Sequence, residues 1–183
     1  AKHDHVDICF TGDRVLRYSD PRRFGSILWV EGPPEQHPRL CQLGPEPFAP
    51  DFNGDYLYRL SRGKSVAVKV FLMDNRVVVG AGNIYANESL FLSGIRPTLA
   101  VGKVSRQRLE SLAEQVRQVL GKAIELGGTT LRDFVGGDVK PGYFKQQLLV
   151  YGRGGLPCLR CQTVLKEIRL GQRSTVYCPS CQR

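Results

Sequence analysis

The sequence predicts an α+β protein, with short β-strands first, helices through the middle, and a metal-pinned β-hairpin at the end. Three observations carry this reading. Apolar and polar residues alternate over Val6-Asp7-Ile8-Cys9-Phe10, and Leu109, Leu112, Val116, Leu120 and Ile124 recur three or four residues apart. Cys158-x-x-Cys161 is followed, after 16 residues, by Cys178-x-x-Cys181. Alternation is the period of a strand, and the three-to-four spacing is that of an amphipathic helix. Two Cys-x-x-Cys knuckles at this separation are the ligand spacing of a zinc ribbon, with two disulfides as the alternative.

Taken in order, the first strand is followed by the turn Thr11-Gly12-Asp13 and by two further strands over 14–18 and 26–30. Three short strands cannot bury an apolar face by themselves, so this sheet is expected to be a partial β-sandwich, the remnant of a larger layer. Asp20-Pro21-Arg22-Arg23-Phe24-Gly25 joins two of the strands and puts two guanidiniums and a phenyl ring at a loop tip. Such a tip suits a wedge between stacked bases, or else the ring folds back onto the sheet. His3 and His5 share one strand face and suit a phosphate contact or plain hydration better than a metal. Pro33, Pro34, Pro38, Pro45, Pro47 and Pro50 mark a linker, and a domain boundary is expected near residue 48.

Helices are expected over 54–60 and 65–73, the second with Val66, Val70 and Met73 on one side and Lys69 off that stripe. Gly80-Ala81-Gly82 then enters a helix at Asn83, a residue placed either to cap it or to donate to an anion. That helix ends at Gly94, a double turn around Pro97 follows, and Ser105 caps a long helix that stops at Gly127-Gly128. Residues 129–142, rich in glycine, read as a loop and candidate lid, and 143–151 as a last helix closed by Gly152. The end of the chain is a hairpin turning at Gly171. It is too short to bury a core, so zinc bound by Cys158, Cys161, Cys178 and Cys181 is its expected source of folding free energy, in a closed, structural site.

At 183 residues with 42% apolar content the chain has material for one good-sized domain or two small ones. Its formal charge of +9 favours a polyanionic partner, and the longest apolar runs, such as Val77-Val78-Val79, are too short to span a bilayer. The stretch from Tyr151 onward holds six basic side chains against Glu167 alone, a balance suited to a phosphate backbone. Cys9 and Cys41, left over from the knuckles, are expected as reduced, partly buried thiols in a cytoplasmic protein.

Several motifs in order along the chain resemble bacterial formamidopyrimidine-DNA glycosylases. They are Lys2-His3-Asp4-His5-Val6-Asp7, the Asp20 to Gly25 loop, Leu72-Met73-Asp74-Asn75, Gly82 to Ala86, Gly127-Gly128-Thr129-Thr130-Leu131, Lys140-Pro141-Gly142-Tyr143-Phe144, Val150-Tyr151-Gly152-Arg153 and the cysteine knuckles. The resemblance implies three parts: the last strands of a β-sandwich domain over 1–48, a helix–two-turns–helix DNA-binding domain over 49–149, and a zinc finger over 150–183. It implies excision of oxidised purines, 8-oxoguanine and formamidopyrimidines, from damaged double-stranded DNA by a monomer, then strand cleavage at the abasic site. Phe24 matches the family's intercalating wedge, with Arg22 and Arg23 in the gap behind it. His3, Arg22 and Lys64 match DNA-contacting positions, Lys69 is expected to bind DNA as well, and Asn83 and Arg173 match the pair that grips the phosphates flanking the lesion. Arg173 also matches the proton donor of the second elimination. The family's nucleophile is an N-terminal proline, whereas this sequence opens Ala1-Lys2-His3 and matches the family downstream of its start. It is therefore expected to be a C-terminal fragment that holds DNA and is inactive alone. The alternative is a non-catalytic zinc-ribbon nucleic-acid-binding protein. The pyrimidine-specific endonuclease VIII branch is disfavoured by Arg22-Arg23-Phe24-Gly25.

Overall fold

The structure is a computed structural model and describes residues 2–128 and 147–183. These form two units, 1–40 and 41–183. In the first, strands β1 (Asp4–Phe10) and β2 (Arg14–Ser19) pair antiparallel, Phe10 opposite Arg14, through a three-residue turn. Gly12 and Asp13 both take positive φ there, +79° and +57°, which is the backbone a tight hairpin turn needs. The expected third strand over 26–30 does not form, and among the described residues the sheet holds β1 and β2 only. Those residues have no neighbouring backbone ladder to join, and Trp29 is 92% exposed. Val6, Ile8, Phe10, Val15 and Leu16 are exposed as well, so neither face of the hairpin is a core. Cys9, on the hairpin, and Cys41, in the second unit, were expected partly buried and are both exposed.

Residues 41–53 pack with the helical unit rather than acting as a spacer. Gly44 donates to the Asn75 carbonyl at 2.7 Å, and a Cβ at Gly44 would come within 2.6 Å of the Val77 backbone, so only glycine fits. Helix α1 (Gly54–Ser61) starts at Asn53, whose side chain accepts from the Tyr56 N–H at 3.0 Å. Helix α2 (Val68–Leu72) is shorter than the expected 65–73 and turns a different face inward. The reason is tertiary. Val66 and Ala67 are drawn into strand-like pairing, the Val66 carbonyl accepting from Val101 and Ala67 bridging Ala100. Val68, Lys69, Phe71 and Leu72 are then buried, while Val66 is exposed.

Helix α3 (Asn83–Leu92) begins after Gly82, and Asn83 is its first residue rather than its cap. Gly94, with φ +68°, ends it, and the double turn runs to a 3-10 turn at Val101–Lys103. Helix α4 (Arg106–Glu125) follows, capped by Ser105 Oγ. Leu109, Leu112, Val116 and Leu120 are buried as their spacing requires, and only Ile124 of that series is exposed. These side chains join Phe52, Leu57, Leu72, Leu90 and Ile95 in the main core. Arg62 clasps the double turn to α1, donating to the Tyr58 and Val104 carbonyls and stacking 3.9 Å from the Tyr58 ring centre.

Strands β3 (Lys166–Leu170) and β4 (Arg173–Tyr177) form the expected hairpin, with Leu170 opposite Arg173. Gly171 and Gln172 have φ of +55° and +60°, the two-residue turn whose twist matches antiparallel strands. Phe91, Val150, Leu165, Val176 and the buried Cys158 and Cys178 make a second core cluster, so α3 is the wall on which the hairpin rests. Of the helix expected over 143–151, residues 143–146 lie outside the described residues and 149–151 are bends and a turn. The loop expected over 129–142 also lies outside them.

Candidate nucleic-acid interface and metal centre

The four cysteine Sγ atoms lie within 4.8 Å of one another. Measured pairs are 4.0 Å for Cys158 and Cys181, 3.5 Å for Cys161 and Cys178, and 3.4 Å for Cys161 and Cys181. A tetrahedron with Zn–S bonds of about 2.3 Å has sulfurs roughly 3.8 Å apart, whereas a disulfide needs about 2.05 Å, so the spacing fits a metal and not bridges. The knuckle backbones are prearranged: Cys158 N–H donates to the Thr163 carbonyl at 2.9 Å, and Cys181 N–H points at Cys178 Sγ from 3.4 Å. Burial, then hydrogen bonds with the Cys161, Cys178 and Cys158 sulfurs, pushes the Cys181 thiol up to about 12. Cys161 moves the other way, lowered to about 6 chiefly by its hydrogen bonds with Thr163, and a bound cation would hold all four sulfurs as thiolates.

The hairpin is fastened to the helices by polar groups as well as by its core. Gln182 is buried and clamps two segments, accepting from Cys178 N–H at 2.9 Å and donating to the Ile95 carbonyl at 2.8 Å. Asn87, on α3, accepts from Val176 N–H at 2.9 Å and donates to the Asn83 carbonyl at 2.7 Å. Glu88, also buried on α3, accepts from the N–H groups of Leu149, Val150 and Tyr151 at 2.8, 3.0 and 2.8 Å. None of Gln182, Asn87 and Glu88 stood out in the sequence as a candidate. The only hint was the Asn83-x-x-x-Asn87-Glu88 spacing, which stacks two polar residues on one helical face directly after a glycine turn.

Lys69 was expected to contact DNA. It is instead fully buried, and its ammonium donates to Asn83 Oδ1 at 2.6 Å, Thr175 Oγ1 at 2.6 Å and the Ser174 carbonyl at 2.9 Å. The reason is the face that α2 turns inward, which carries the side chain between α3 and β4. Burial, then the neighbouring Arg173 charge, lowers Lys69 to about 8, so at neutral pH it is still a cation. Asn83 and Arg173 thus lie on either side of one buried group, Asn83 half-buried at the head of α3 and Arg173 exposed at the hairpin tip. Exposed Lys64 and Arg173 line the same cleft, of about 590 Å³, with Arg76 and an apolar floor that includes Val70, Phe71 and Met73.

In the other unit, Phe24 is 81% exposed and does not fold back onto the sheet. Its ring lies 4.9 Å from the Arg22 guanidinium, and Arg23 takes φ +56°. Asp20 shapes this tip. Its carboxylate accepts from the N–H groups of Arg22, Arg23 and Gly25 at 3.0, 2.9 and 2.8 Å and from the Tyr18 hydroxyl at 3.0 Å. The Gly25 bond most of all, then the Tyr18 and Arg bonds, holds the Asp20 carboxyl below the usual range. Asp20→Ala is expected to speed amide exchange at Arg22, Arg23 and Gly25 with little change in the rest of β1 and β2; unchanged protection would mean that the loop is held otherwise. His5, not His3, reaches this loop, its Nε2 standing 3.0 Å from the Asp20 carbonyl oxygen. His3 meets it only through its backbone carbonyl, which accepts from the Asp20 N–H at 3.0 Å.

Comparison with known proteins gives this arrangement a lineage. Residues 43–135 match the formamidopyrimidine-DNA glycosylase H2TH domain, and residues 155–183 match the zinc finger found in FPG and IleRS. The formamidopyrimidine-DNA glycosylase of Hahella chejuensis is 63% identical over 182 residues, covering 100% of this chain and 67% of the relative. This chain belongs to the formamidopyrimidine-DNA glycosylase family. The glycosylase of Stutzerimonas stutzeri is 61% identical with the same coverage. Among solved members of the family, MutM (FPG) from Thermus thermophilus superposes with a TM-score of 0.90 at 35% identity, covering 100% of this chain and 69% of that one. Lactococcus lactis Fpg, solved with DNA containing an abasic site, superposes with a TM-score of 0.86 at 31% identity, covering 100% and 67%. The chain therefore spans about two thirds of the length of these glycosylases. With the family finger matched and four sulfurs at metal-binding spacing, the cysteine cluster is a structural zinc site. Among the described residues, no helix is long and apolar enough to cross a membrane.

Proposed function

We propose that this chain is the DNA-gripping part of a base-excision-repair glycosylase that removes oxidised purines and then cleaves the strand at the abasic site. The observation that carries the reading is the joint placement of Asn83 and Arg173 around Lys69, at the meeting of α3 and the zinc-held hairpin. The first-turn N–H groups of α3 have no intrahelical partners and carry the positive end of the helix dipole, so an anion beside Asn83 is favoured. Arg173, exposed at the hairpin tip, supplies a second set of donors suited to a phosphate fork. Two donors fixed on separate elements define a span, and the phosphates on either side of an extruded nucleotide supply that span.

In this reading Arg173 also donates the proton of the second elimination, the role implied by its match to the family. Lys64, lining the same cleft, adds a phosphate contact. Phe24, held outward by the Asp20 loop, enters the base stack, Arg22 and Arg23 occupy the space left by the extruded base, and His3 contacts the backbone. The protein acts as a monomer in the cytoplasm, on duplex DNA. A Lactococcus lactis relative was solved with DNA containing Fapy-dG, which supports the oxidised-purine assignment. A free-standing zinc-ribbon binder would account for the cysteines but not for 63% identity along the whole chain.

The test is salt-dependent binding of the zinc-loaded chain to a duplex carrying a tetrahydrofuran abasic analogue. Arg173→Ala should reduce the slope of log K against log[salt] by about 0.9, the loss of one neutralised phosphate. Identical slopes for the two proteins would remove Arg173 from the interface.

A further inference from the structure

Among the described residues, Lys69 has three hydrogen-bond acceptors and no carboxylate is one of them: they are an amide oxygen, a hydroxyl and a backbone carbonyl. A cation buried without a counter-ion is costly, and an apolar side chain of similar length would fill the volume at less cost. What the ammonium holds explains its presence. Asn83 Oδ1 faces Lys69 Nζ at 2.6 Å and Asn87 Nδ2 at 3.4 Å, both of them donors. Turning the Asn83 amide over would set its NH₂ against those donors, so the carbonyl end is pinned inward and the NH₂ end is directed away from them. The same ammonium holds the Ser174 carbonyl, one residue along β4 from Arg173, at 2.9 Å.

We infer that Lys69 is a positioning residue for DNA binding: a buried brace that orients the Asn83 amide with its NH₂ toward phosphate and sets the spacing between Asn83 and Arg173. This rests on the phosphate grip given above. It differs from a direct or through-space role, because the ammonium acts through its hydrogen bonds and not by adding positive charge under the DNA. Glutamine at this position could still donate to Asn83 Oδ1 but would carry no charge, whereas methionine keeps the length and loses the donor.

The experiment measures affinity and salt slope on the tetrahydrofuran duplex for the zinc-loaded chain and for Lys69→Met, Lys69→Gln, Asn83→Ala and the double variant Lys69→Met/Asn83→Ala. Lys69→Met should weaken binding about tenfold, the scale of one lost charge-assisted contact, while Lys69→Gln retains most of the affinity. With Asn83→Ala already present, Lys69→Met should add little, because the amide that it orients is gone. Equal losses for Met and Gln, undiminished in the Asn83→Ala background, would overturn the brace in favour of a simple charge effect. If Asn83→Ala alone leaves binding and slope intact, the phosphate grip itself is wrong, an outcome separate from failure of the brace. Zinc content and thermal unfolding of each variant establish that the hairpin is in place. Should Lys69→Met not fold, comparison of Lys69→Gln with the original chain decides, a tenfold loss again overturning the brace.

Discussion

Stripping zinc from the chain is expected to unfold residues 150–183 while leaving the helical core standing. The finger's buried residues are few, Cys158 and Cys178 are two of them, and the metal is their common point of attachment. Structural zinc contributes roughly 10–16 kcal/mol of apparent binding free energy in small fingers at neutral pH, more than a cluster of this size supplies by burial. The main core of Phe52, Leu57, Leu90, Leu109 and Leu112 contains no finger residue, so far-UV circular dichroism should keep the signal of α1, α3 and α4. Amide resonances from Lys166 to Tyr177 should collapse toward random-coil shifts, and affinity for the abasic-analogue duplex should fall with them. Cys178→Ala should reproduce both effects. A chelated chain with a dispersed β4 spectrum and undiminished binding would refute the metal's structural role. Because the thiols must lose their protons to bind metal, acidification should release zinc, with hairpin and binding lost together.

The second large effect is expected at Glu88. Its two carboxylate oxygens serve three backbone N–H groups, and a leucine would leave Leu149, Val150 and Tyr151 without those acceptors. A buried polar group deprived of its partner costs about 1–3 kcal/mol; with Leu149 and Tyr151 partly reachable by water, the total for Glu88→Leu should be on the order of 4 kcal/mol. Glu88→Gln keeps one oxygen in place and should cost about half that. Thermal unfolding of the zinc-loaded chain measures both. A leucine variant as stable as the original would show that residues 149–151 are held chiefly by the packing of Val150 and not by the carboxylate.

How much of this was legible in the sequence follows from the range over which each feature is determined. The hairpin β3–β4, the cap at Ser105, the stripe on α4 and the glycine entry to α3 were all readable, because each depends on residues a few positions apart. The cysteine spacing was readable for the same reason. The inward face of α2 was not. Apolar spacing chose Val66, Val70 and Met73, yet the pairing of Val66 and Ala67 with Val101 and Ala100, more than thirty residues on, started the helix later and turned Lys69 inside. The third strand failed for a related reason: alternation marks residues able to join a ladder, not the presence of one.

The candidate site divides along the same line. Asn83 and Arg173 were marked by the family resemblance, and the exposed Phe24 by its place in a short loop. That Asn83 stands at the first position of α3 with its amide oxygen accepting from a buried ammonium is a fact about three elements brought together. The residues that do the bringing, Asn87, Glu88 and Gln182, carry no local mark. By itself the sequence determined the metal ligands, the first hairpin, the helices α1, α3 and α4, the closing hairpin and the basic character of the finger, because these are written in spacing and composition. Only the tertiary structure decided which polar side chains were spent inside the protein and which remained free for a partner, because a hydrogen bond between residues a hundred positions apart has no signature in either segment alone.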